Sequence, residues 1–321
     1  MKEKKDNSKP NSVLLGRLIA AALFTAVLAG TWDAWWHGAL GRESFWSPPH
    51  LLLYSSVLLA VCLGIYGFIK FKEKRWRTLA LVLLLVPLSA PLDEIWHRIF
   101  GVEDLSSPLI IWSPPHLVIV FSLIASMVFL LPILRRDTKE MQILFGSMIF
   151  ASMHNLILFV LSPLEPEGAW HLLGFAGAGI VAAFMFGVIL LAQRWIPSKG
   201  AAVFTSAFAL MAAAIGFNEQ IAEGVKILPH EHAPPFLLIF SMLAGAVALD
   251  LLHSKKEWIR GAVAGLLWSG ILYGFSWMFF KPEFVYGTSE AIITIVSSIV
   301  GGIIMGMLIS KFNKWENVNG N

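Results

Sequence analysis

Residues 32–50 read WDAWWHGALGRESFWSPPH, and residues 92–116 read LDEIWHRIFGVEDLSSPLIIWSPPH. Each stretch places a His four residues after an Asp, runs through a connection and closes on Ser-Pro-Pro-His. Long apolar runs flank both. A helical hairpin joins these facts: one apolar helix ends in Asp33 and His37, and the next begins after Ser47. Residues four apart on a helix share one face. Serine is a favoured helix cap, and proline suits the first turn, where its missing N–H is not needed.

Outward from these hairpins the chain stays apolar. It is 57% hydrophobic and 14% charged, against about 25% charge in a soluble domain. Runs close to the ~20 residues of a bilayer-crossing helix recur at 12–34, 50–70, 77–97, 115–134, 140–162, 169–193, 201–223, 235–253, 258–280 and 287–311. The fold class expected is all-α: a polytopic membrane protein of ten transmembrane helices built from repeated helical hairpins, with both termini cytoplasmic.

Charge placement supports that scheme. With the N-terminus inside, 20 of the 24 Lys and Arg fall in cytoplasmic segments, leaving only Arg42, Arg98, Lys226 and Lys281 outside. This is the pattern of the positive-inside rule. The apolar run after the basic start leads directly into Asp33, so it is read as a retained first helix rather than a signal peptide. The division expected is a cytoplasmic tail (1–11), two metal-motif hairpins (12–134), a connecting hairpin (135–199), a degenerate repeat hairpin with the last hairpin (200–311), and a second cytoplasmic tail (312–321). The net charge of +3 sums a basic inside and an acidic outside and does not suggest nucleic acid. The partner implied is the lipid bilayer, with additional membrane subunits or a homo-oligomer left open. Cys62 is the only cysteine, so no intrachain disulfide can form.

On this topology the chemistry collects at the outer face. A third, degenerate copy of the hairpin, NEQIAEGVKILPHEHAPPFLLIFS, aligns with the first at an offset of 186, setting Glu219 on Asp33, Glu223 on His37 and Phe236 on His50. In each of the two full copies, the His after Ser-Pro-Pro falls in the first turn of the returning helix. Its antiparallel partner ends in Asp and His at the same depth. Two ligand sets result, Asp33, His37 and His50, and Asp93, His97 and His116. Imidazole with carboxylate and no thiolate suits copper, with zinc or iron also compatible, rather than calcium or magnesium. A hydrogen-bonded pair at a helix end is the plain reading of one copy, and the repetition favours metal. Glu219, Glu223, His230, His232, His154 and His171 are candidate outer-shell or proton-handling groups. The tryptophans near the boundary, Trp32, Trp35, Trp36, Trp46, Trp96, Trp112 and Trp170, read first as an interfacial belt. Asp250 with His253 reads as a solvated helix end.

The spacing Asp-x3-His-x12-His, with SPPHLLLY after it, resembles the copper site in the copper-binding membrane subunit of the copper membrane monooxygenases, the particulate methane and ammonia monooxygenases. The resemblance covers roughly residues 30–125. It implies copper on Asp33, His37 and His50. It implies a neighbouring site on Asp93, His97 and His116, where the family has Asn in place of the Asp. This chain departs from the family in its ten expected spans and its degenerate third copy. The function expected is therefore an integral membrane metalloprotein with Asp/His sites facing the extracytoplasmic side, an oxidoreductase of monooxygenase-like type for small apolar substrates. The alternative is metal handling, transport or sensing without catalysis.

Overall fold

In the computed structural model the described residues are 8–40, 46–100, 112–164, 172–216, 235–275 and 288–319. They contain helices and no strand. Among them, ten α-helices lie on the ten predicted segments: α1 (Ser8–Leu40), α2 (Pro48–Phe71), α3 (Lys74–Phe100), α4 (Pro114–Leu134), α5 (Lys139–Leu161), α6 (Gly177–Trp195), α7 (Ala201–Gly216), α8 (Pro235–Leu251), α9 (Glu257–Ser269) and α10 (Thr288–Asn319). A π-helical turn, Gly270–Phe275, continues α9.

Seven of the described helices have the length and composition of a bilayer crossing: α1 to α6 and α10. That is the pattern of a multi-pass membrane protein. The apolar stretches of α7 and α8 are shorter, Ala201–Ala212 and Ile239–Leu251. The predicted spans 201–223 and 258–280 run into residues 217–234 and 276–287, which lie outside the described residues.

The chain divides into two units, residues 1–156 and 157–321. In the first unit α1 packs on α2 and α4, α2 on α3, and α3 on α4. This closes four helices into a ring in which each hairpin supplies a neighbouring pair. The α2–α3 connection turns at Lys72, whose φ of 55° is left-handed. The indole of Trp76, 0% exposed, fills the notch beside Gly67, where a methyl group would collide with its ring. The α4–α5 connection is tied to α1 by a bidentate pair. Arg17 Nε donates to Asp137 Oδ2 at 2.7 Å and Nη2 to Oδ1 at 2.5 Å. Burial works against the charge of Asp137. The Arg17 hydrogen bonds, the Thr138 N–H and the Arg17 charge outweigh it and hold the carboxyl below its ordinary range.

The second unit is held by close backbone approach. Gly261 of α9 and Gly302 of α10 face each other, and a methyl on either would collide with the other's carbonyl oxygen. Gly265 meets Ser298 in the same way one turn on. Small residues four apart on each helix are the usual means of bringing two membrane helices into contact. The buried cluster beside them centres on Phe186, Ile189, Leu249 and Trp268.

One polar group in this unit departs from the sequence reading. Asp250 is half-buried and is not a solvated helix end. Its carboxylate accepts from the backbone N–H of Ala202 at 3.1 Å and of Val203 at 3.0 Å. Helix α7 starts after Gly200, which has no side chain to cap it, and Asp250 supplies that cap from α8. Gln193 Nε2 also donates to Asp250, at 2.5 Å, and Arg260 donates to Gln193 Oε1.

Candidate metal centre

The two repeated hairpins start their returning helices in one register. The first helical hydrogen bond runs from Leu51 N–H to the Ser47 carbonyl at 3.0 Å, and from Leu117 N–H to the Ser113 carbonyl at 3.0 Å. The two prolines that follow occupy the first turn in both. His50 and His116 are therefore the third helical residues of α2 and α4. The sequence repeat is thus a repeat of local structure as far as these residues go.

In the first hairpin α1 brings Asp33 against the start of α2. Asp33 Oδ1 lies 3.1 Å from His50 Nε2, with the side chains 18% and 9% exposed. The ring of Tyr54, one turn further along α2, stacks on the His50 imidazole at 5.4 Å between centroids and 11° between planes. Trp32 and Trp36 meet edge to face at 6.2 Å, as do Trp35 and Trp36 at 6.5 Å. The indole N–H groups of Trp35 and Trp36 are buried without a partner among the described residues. These rings thus form part of the wall beside Asp33 as well as a boundary belt, whereas

The second hairpin uses its carboxylate differently. Ser113, 0% exposed, donates its hydroxyl to Asp93 Oδ1 at 3.1 Å and accepts from the His116 N–H at 3.2 Å. The serine is a true side-chain cap and also a bridge between α3 and α4. Ser47 occupies the equivalent position without a side-chain cap bond. No aromatic ring follows His116 where Tyr54 follows His50, because that position is Val120. Helix α3 also carries Pro87 and Pro91 just before Asp93, where α1 has Val27 and Thr31.

His37 and His97 lie on α1 and α3, and their side chains lie outside the described atoms. Among the described residues no group of three or more His, Cys, Asp or Glu side chains is close enough together to hold a metal ion. Of the outer-shell candidates, His154 is within α5 and 1% exposed, with Nδ1 3.3 Å from Asn155 Oδ1. His171, Glu219, Glu223, His230, His232 and the third hairpin copy up to Pro234 fall outside the described residues.

Sequence reasoning missed Tyr54 and the bridging role of Ser113. Tyr54 was visible as the aromatic four residues after His50. Nothing in the sequence distinguishes the role of Ser113 from that of Ser47. The chain matches no family model, no curated protein and no solved structure.

Proposed function

We propose that the ends of α1 and α2 hold a metal ion at the extracytoplasmic face, and that the protein is a membrane metalloprotein with ten spans and both termini cytoplasmic. The observation that carries this reading is the 3.1 Å approach of Asp33 Oδ1 to His50 Nε2 across two helices. Two ligands bound to one tetrahedral ion at ~2.0 Å each stand about 3.3 Å apart, so oxygen and nitrogen are already set at the bite of one ion. In the absence of an ion the same separation is a hydrogen bond. A proton and a metal are therefore alternative occupants of this gap.

His37 is one turn beyond Asp33 on α1 and completes a set of one carboxylate and two imidazoles. Copper is the ion we favour, because the set offers nitrogen and oxygen without sulfur and because of the resemblance to the copper membrane monooxygenases. Bound copper would supply one-electron chemistry toward oxygen, and the reading is an oxidoreductase for a small apolar substrate drawn from lipid. The chain's own residues then have definite tasks. Asp33 and His50 bind, Tyr54 holds the His50 ring plane by stacking, and the Trp35 and Trp36 rings keep water from the carboxylate. The second hairpin, with Asp93, His97 and His116, would be a second site whose carboxylate is shared with the cap Ser113.

The test is the metal content of the purified full chain. Relative to the wild type, Asp33→Asn and His50→Ala should each lose about one equivalent, and retained folding is checked by the thermal unfolding of each variant. Unchanged metal content in both variants would overturn the site.

A further inference from the structure

Helix α5 carries three polar residues on one stripe. Glu140, Ser147 and His154 follow at seven-residue intervals, so each lies within ~20° of the last around the helix and about 10.5 Å further along it. Glu140 is exposed in the first turn of α5. Ser147 is 0% exposed and His154 1% exposed. Between them on the stripe stands Ala151, also 0% exposed, whose short side chain leaves the stripe narrow and unobstructed.

The two buried groups are aimed at something that the protein does not supply. Neither the Ser147 hydroxyl nor Nε2 of His154 has a hydrogen-bond partner among the described residues. Other buried serines of these helices satisfy themselves locally. Ser126 donates to the Ser122 carbonyl at 2.8 Å and Ser152 to the Met148 carbonyl at 2.9 Å, each one turn back. That bond is open to any serine inside a helix, yet Ser147 does not make it. At His154, Nδ1 faces the amide oxygen of Asn155 at 3.3 Å. With Nδ1 donating there, Nε2 presents a bare lone pair and can only accept. Buried polar atoms left unmet are rare, and internal water is the usual partner when protein supplies none.

We infer that the buried stripe of α5 binds a file of internal water that enters beside Glu140, is held by the Ser147 hydroxyl and ends on Nε2 of His154. Water fits both ends: it donates to a nitrogen that only accepts, and it exchanges either role with a hydroxyl. A file of this kind passes protons by exchange between neighbouring oxygens with no net bond made. It therefore connects a histidine deep in an apolar span to the solvent at Glu140. Ionisable groups within membrane spans characteristically serve such paths.

In situ radiolysis of water, with oxidation read by mass spectrometry on the full chain in lipid nanodiscs, tests this without a diffusing reagent. His154 should be oxidised at least several-fold faster than Met127 and Phe186, which are equally buried at 0%. Met127 is intrinsically the more reactive side chain, so a faster His154 requires water beside it. Ser147→Ala, a small change that leaves the helix intact, should lower His154 oxidation several-fold while Met127 and Phe186 stay as they were. Oxidation of His154 no faster than that of the two controls would overturn the proposal, as would an unchanged rate in Ser147→Ala.

Discussion

Asp33 reaches across to Nε2 of His50 at 3.1 Å, whereas Asp93, its counterpart in the repeat, accepts from the hydroxyl of Ser113 at 3.1 Å. The same motif thus places a carboxylate at the same step of two hairpins and engages it with two different partners. A direct Asp–His contact leaves the pair free to open around an ion. A carboxylate that holds a helix cap has a structural task to give up first.

If both triads bind metal, their affinities should differ. His37→Ala should lower affinity at the first site by the ~10–100-fold expected for losing a ligand or its support. His97→Ala should remove a weaker second equivalent. Titration of the purified chain with copper, read as stoichiometry and as two separate binding steps, measures both. Additive losses in the double variant indicate two sites, complete loss from either single change indicates one shared centre, and no loss from His97→Ala leaves the second hairpin structural.

The two capping serines should behave differently. Ser113→Ala removes a cap and a bridge to Asp93 and should cost about 1 kcal/mol, in the usual range for a cap. Ser47→Ala removes a hydroxyl with no cap bond and should stay within about 0.5 kcal/mol. Thermal unfolding in detergent compares them, and equal losses would contradict the asymmetry.

Asp250→Ala should be among the more damaging changes at its end of the second unit, by about 1–2 kcal/mol for the lost cap of α7. His253→Ala, one turn away and exposed, should have little effect. The same unfolding measurement decides it.

Asp137 links stability to pH. Its folded pKa is depressed, so it stabilises the fold above the ordinary carboxylate value of ~4. That contribution falls away as the pH drops through the folded value. Asp137→Asn should therefore lower the unfolding temperature at pH 7, with about 1.5–3 kcal/mol expected for hydrogen bonds to a charged group. The gap to wild type should shrink as the pH falls toward 3. A gap that does not change with pH would show that the ionised pair is not the cause.

Gly302→Val should separate α10 from α9, because the added side chain meets the Gly261 carbonyl, which is backbone and cannot swing aside. A loss of several kcal/mol is expected, of the size seen when a packed core is overfilled. Gly30→Ala is the control, since nothing lies within 4 Å of that position.

Much of the fold was legible in the sequence, for a simple reason. In a bilayer every backbone polar group must be satisfied within its own segment, so helices are the only elements that separate spans can form, and their length is set by membrane thickness. Ten apolar runs therefore became ten helices, and Ser-Pro-Pro located the starts of α2 and α4 to the residue. The pairing of Asp33 with His50 was also legible, because a short hairpin leaves the two helix ends no choice but to be neighbours. What needed the tertiary structure were choices among partners at equal sequence distance. Ser113 bridges to Asp93 while Ser47 makes no cap bond, and Asp250 caps a helix that begins about 48 residues before it. Ser147 forgoes the local bond that Ser126 and Ser152 make. Periodicity states which face a residue occupies and at what depth. Which atom stands opposite depends on how the helices cross, and that is decided by the volumes of Gly261, Gly302, Trp76 and the other side chains that fill the space between them.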